Sequence, residues 1–193
     1  VYKRQTSIVV TFIISYPLSE KRVASQLRQL INNCSFEFEE GRCSALNALV
    51  LLIKALPLPV LEDYSQMIFL PTTLRIVNDK AAICREKAAA VIISLIRKIN
   101  TDSVLQFIDF VQLWLNSGRA CATTTLTTTT IISSNLSRES MTPQNKMLIR
   151  TGSQVANLIV QARPDICKRD GHVSRFIQSV HHYLSILLIP SAS

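Results

Sequence analysis

The residue types able to do covalent or metal chemistry are few in this sequence, and their spacing does not suit that work. His181 and His182 are adjacent, which sends them to different sides of a helix, and neither they nor His172 stands in HExxH spacing with a glutamate. The five cysteines, Cys34, Cys43, Cys84, Cys121 and Cys167, lie at least nine positions apart, so zinc knuckles and CxxC redox pairs are absent. A nucleophile at Cys84 or Cys167 requires a histidine beside it in space, and a free buried cysteine is the commoner role. An odd cysteine count in an apolar-rich chain predicts no disulfide framework and a reducing compartment. The sequons at Asn33 and Asn135 are then silent. Gly41, Gly118, Gly152 and Gly171 are too far apart for a GxGxxG or GxxxxGK[ST] phosphate cradle. The expectation is a protein that is not an enzyme, with no metal, no cofactor and no small-molecule substrate.

Charge is the stronger signal. The chain has 193 residues, 48% hydrophobic and 18% charged, with 21 Lys and Arg against 13 Asp and Glu, a formal net charge of +8. Residues 1–100 hold 13 basic and 8 acidic side chains and the remainder 8 and 5, so the basicity is spread along the chain. Such a field favours an acidic partner: nucleic acid first, an acidic protein or membrane surface as the alternative. Candidates for contact with RNA or another partner are Lys21, Arg22, Arg28, Arg75, Lys80, Lys87, Arg97, Lys98, Lys168, Arg169 and Arg175. For Arg97 and Lys98, solvation at a helix C-terminus competes with that role. Lys168 and Arg169, beside Asp170, read first as a charged turn. In the segment Phe36-Glu37-Phe38-Glu39-Glu40-Gly41-Arg42, the glutamates complement a helix dipole while the two rings wedge between neighbouring helices. The alternative there is an acidic edge for a basic protein. Trp114 sits among apolar residues at helical spacing and is expected in the core.

The elements that must carry these residues are helical. Apolar residues recur at helical spacing over 19–33, from Leu46 to a stop at Pro57 and Pro59, over 61–77, 81–99 and 101–116, then over 147–159 and 173–184. Ser19 is the expected cap of the first helix and Thr101 or Asp102 of the fifth. Pro71 predicts a kink or break in the third. The apolar stretches at 8–14, 48–53 and 88–93 fall short of the roughly 20 residues that span a bilayer, so no membrane segment is expected. Residues 119–141, with seven threonines among the eight positions 123–130, read as a flexible insertion. The expected organisation is helical repeats over 1–118, the Thr/Ser-rich insertion over 119–141 and a further helical pair over 142–193. Beginning at Val1 and ending in mid-pattern, the chain reads as a piece of a longer protein.

Helix pairs of about 40 residues joined by short polar turns predict an all-α fold, an α-solenoid of stacked antiparallel pairs. Residues 64–96 hold Pro71 in a first helix, an Asn78-Asp79 turn, Arg85 six positions on, then Ala88, Ala89 and Ile92. This unit resembles the HEAT repeat, whose Asp and Arg form a ladder along the turns, and assigns Asp79 and Arg85 to that ladder. Read together, Tyr16-Pro17-Leu18-Ser19-Glu20-Lys21-Arg22, the Phe36 to Leu46 run, Leu61-Glu62-Asp63-Tyr64, Phe69-Leu70-Pro71, Leu74-Arg75-Ile76-Val77-Asn78-Asp79 and Cys84-Arg85-Glu86 resemble the small-subunit processome component 20 family, also called down-regulated in metastasis. The resemblance covers roughly residues 12–115. It implies an internal segment of a very large nucleolar HEAT-repeat protein, a non-catalytic scaffold in small-subunit rRNA processing with pre-ribosomal RNA and processome proteins as partners. A second reading is a HEAT or armadillo-type adaptor that binds acidic proteins or peptides without RNA.

Overall fold

The computed structural model describes residues 8, 10–13, 15, 20–117, 142–169 and 171–188, with the side chains of 20, 169 and 182–188 outside that description. The Thr-rich stretch and the Ser19 cap therefore lie outside the described residues. Residues 8, 10–13 and 15 are helical, and eight helices with described bounds follow: α1 Glu20–Asn33, α2 Glu39–Ala55, α3 Leu58–Asn78, α4 Ala82–Lys98, α5 Thr101–Asn116, α6 Pro143–Ala162, α7 Pro164–Arg169 and α8 His172–Leu188. No strand occurs among the described residues.

The helices form a two-layer α-solenoid. In one layer α4 packs between α2 and α6, and α1, α3 and α5, the first helix of each pair, pack against that layer. α8 closes on α5, α6 and α7. The core follows from the apolar spacing: Leu27, Leu46, Leu49, Leu52, Ile53, Leu61, Ile68, Ile92, Leu95 and Ile96 are fully buried. Small side chains set the closest approach, since Ala45, Ala48 and Ala88 are buried on α2 and α4, and the Cys43 and Cys84 sulfurs lie 3.2 Å apart. Between α3 and α5, Phe69 and Phe107 stack at 3.9 Å between ring centroids with planes 6° apart. Trp114 extends the stack, 6.3 Å from Phe69 and half-buried.

The stack shows its period in hydrogen bonds between successive pairs. Lys87 Nζ donates to Asn47 Oδ1 at 2.9 Å, Gln66 Nε2 to Gln106 Oε1 at 3.2 Å and an Arg75 guanidinium N–H to Ser35 Oγ, each joining residues 40 positions apart.

Several sequence expectations need correction. α3 begins at Leu58, because Pro59 in a first turn lacks only an N–H that has no intrahelical partner there. The same helix runs through Pro71 without a break; that side of α3 is exposed, so the carbonyl deprived of its donor can meet water. The N-cap of α5 is Asn100, whose Oδ1 accepts from the Ser103 N–H at 2.8 Å, and not Thr101 or Asp102, which lie inside the helix. Lys168 and Arg169 belong to α7 and not to a turn. Phe36 and Phe38 do not wedge between helices but face solvent.

Candidate nucleic-acid interface

The edge of the solenoid that carries the α1–α2 and α3–α4 turns is organised by Asp79. Its carboxylate receives two bonds from Arg42, Nε to Oδ2 and Nη2 to Oδ1, both 2.9 Å, and Oδ1 also accepts the Ala81 N–H at 3.0 Å. Burial alone raises the Asp79 carboxyl. The Arg42 bonds, the Ala81 N–H and the nearby Arg75 charge outweigh it and hold the group below its ordinary range. Arg85 Nη1 donates to the backbone carbonyls of Asp79 at 2.8 Å and Lys80 at 3.1 Å. The carboxylate rung thus joins Asp79 to Arg42 of the preceding pair, whereas Arg85 braces the turn. Arg42 was missed because its partner lies 37 positions away; its place in the first turn of α2, matching that of Arg85 in α4, was the available signal.

The predicted contact residues separate into three groups. Lys21, Arg22 and Arg28 are exposed along α1, and Lys80, Arg97, Lys168 and Arg175 are exposed elsewhere. A second group is engaged inside the fold. Arg75 bonds Ser35 and Lys87 bonds Asn47, while Lys98 Nζ donates to the carbonyls of Ile53 and Lys54 at 2.8 Å and Leu56 at 2.6 Å, closing the C-terminus of α2. Lys98 is therefore a cap between successive pairs and not a solvated terminus. Arg169 forms the third group, its side chain lying outside the description.

The structure also brings together basic residues that the sequence reading passed over. Between the end of α3, the start of α4 and α6 run two adjoining grooves of about 420 and 680 Å³. Val77, Arg150 and Gln154 line both; Arg85, Glu86 and Asn157 line the smaller, and Asn78 and Lys146 the larger. Lys146, Arg150 and Gln154 stand four apart on one face of α6, a spacing that could have found them. Asn78 Nδ2 donates to Met147 Sδ at 3.4 Å, linking α3 to α6 in the lining of the larger groove. Three cations and three side-chain amides against one glutamate suit phosphate oxygens, and such contacts position a nucleic acid without reading its bases.

Among the described residues, no group of three or more His, Cys, Asp or Glu could hold a metal ion, and no helix is long and apolar enough to cross a membrane. An apolar groove of about 430 Å³ lies between α6 and α8, lined by residues including Ala156, Val160, Phe176 and Val180.

Stacked helix pairs define the class: an all-α solenoid. No family model matches the chain. Over 91 residues it is 31% identical to U3 small nucleolar RNA-associated protein 20 of Schizosaccharomyces pombe, a match covering 46% of this chain and 4% of that protein. Over 109 residues it is 26% identical to the protein of the same name from Saccharomyces cerevisiae, covering 56% of this chain and 4% of that relative. The chain spans about 4% of the length of the curated relatives it matches.

Proposed function

We propose that this chain is a non-catalytic scaffold segment of a ribosome-assembly factor, acting in the small-subunit processome during small-subunit rRNA maturation in the nucleolus. The observation that carries the reading is the partial similarity to two proteins named for association with U3 small nucleolar RNA. The basic groove around Arg85, Lys146 and Arg150 supports it, since a scaffold of this kind holds RNA by phosphate contacts. Exposed Lys21, Arg22, Arg28, Lys80, Arg97, Lys168 and Arg175 are proposed as additional contacts to pre-ribosomal RNA or processome proteins. The division into repeats over 1–118, an insertion over 119–141 and a further pair over 142–193 belongs to the same proposal. The test is ultraviolet crosslinking of the tagged full-length parent in cells, followed by sequencing of RNA retained through stringent washing. Small-subunit rRNA precursor is expected, in particles that shrink with ribonuclease. Background RNA, with acidic proteins recovered in ribonuclease-resistant complexes, overturns the reading in favour of an adaptor.

A further inference from the structure

The corner between α1 and α2 presents two large aromatic side chains to solvent. Phe36 is 51% and Phe38 61% exposed, with ring centroids 5.7 Å apart and planes tilted by 55°. Leaving two rings in water forgoes the free energy that burial releases, and an exposed apolar feature of this kind marks a contact surface.

The corner is also held in shape. The N–H groups of Cys34, Ser35 and Phe36 donate to the carbonyls of Ile31, Asn32 and Asn33. Arg42, whose Nε and Nη2 are fixed on Asp79, uses Nη1 to hold the carbonyls of Phe36 at 3.0 Å and Glu37 at 2.8 Å. The Phe36 ring rests on Gly41, where a Cβ would stand 2.6 Å from its Cδ1. Display of the rings is therefore built by specific bonds and by an absent side chain, and a surface ordered beforehand loses less entropy on binding. Glu37, Glu39 and Glu40 are exposed around the rings, three of the 13 acidic residues of a chain whose net charge is +8.

We propose that Phe36, Phe38 and the three glutamates form a docking site for a basic, arginine-bearing segment of another protein. Charge complementarity selects the occupant: the three exposed carboxylates attract guanidinium groups and the rings receive them face-on by cation–π attraction, while Arg42 and Arg75 at the same corner are engaged by Asp79, backbone carbonyls and Ser35. The site lies on different residues from the basic groove and does not depend on the reading of that groove.

The test is fluorescence anisotropy of the intact chain with a labelled peptide of arginine and leucine spaced by serine, in low salt. Binding is expected, weakened about tenfold or more by Phe38→Ala and by the triple Glu37→Gln, Glu39→Gln, Glu40→Gln variant. Gly41→Ala is the discriminating variant. It dislodges the Phe36 ring and weakens binding, while the thermal midpoint holds or rises because alanine is the better helix former. No binding to the native chain, or equal binding to all variants, overturns the proposal. So does displacement of the peptide by an oligouridine probe that Phe38→Ala also weakens, which would make the corner an RNA platform.

Discussion

Asp79 concentrates the order of one edge on a single carboxylate, 1% exposed in its side chain and shared between Arg42 and the Ala81 N–H. Removing the carboxylate takes the ion pair from Arg42, which keeps the Phe36 and Glu37 carbonyls, and frees the Ala81 N–H, so Asp79→Ala is expected to cost about 1 to 3 kcal/mol, measured by urea denaturation. The pH dependence follows from the same bonds. The folded pKa lies below the ordinary 3.8, so the carboxylate's contribution is fully present above that value and is lost as pH falls through the folded pKa. Asp79→Asn should flatten this acid limb in unfolding curves taken from neutral to acid pH. Burial pushes the Cys34 thiol up to about 12. Cys84 reaches about 12 through burial first and the Cys43 contact second. Both thiolates are therefore scarce at neutral pH, and iodoacetamide should modify Cys34 and Cys84 only at the rate of unfolding, read by mass spectrometry. At this scale sequence spacing was informative about Asp79 and silent about its partner, because a bond between helix pairs leaves no local pattern.

Two helix ends in the stack are completed by a neighbouring helix. Lys98, at the end of α4, closes the carbonyl end of α2, and Glu62 of α3 accepts the Asn100 N–H at 2.6 Å and the Ser103 hydroxyl at the start of α5. Lys98→Met keeps the apolar stem and removes the ammonium; it should cost about 1 to 3 kcal/mol in denaturant titration. The position and type of the long helices were legible because apolar residues recur at helical spacing and polar turns separate them. Three features were not. Pro71 reads as a break, but a helix packed along its length tolerates one missing bond on its exposed side. α7 is too short to show a period, and it follows Pro164, which reads as a stop although proline also opens helices. Phe36 and Phe38 read as wedges because hydrophobicity alone does not say which neighbour, if any, a ring will meet.

Across the whole chain, a polyanion in the groove would meet Arg85, Lys146 and Arg150 together, although they come from two helices remote in sequence. Alanine at all three should weaken binding of single-stranded RNA and reduce the slope of log affinity against log salt by about 2, measured by filter binding over a salt series. The groove was half legible: Arg85 stood out beside Asp79, whereas Lys146 and Arg150 gain meaning only once α6 lies against the end of α3. The bonds between the first two pairs also bear on mechanics. Arg42 grips Asp79 at one edge of the stack, and Lys98 grips the end of α2 at the other. A plate pinned along one edge can hinge open like a book, but one pinned along both can only shear. The joint between these pairs is thereby expected to resist opening at either edge.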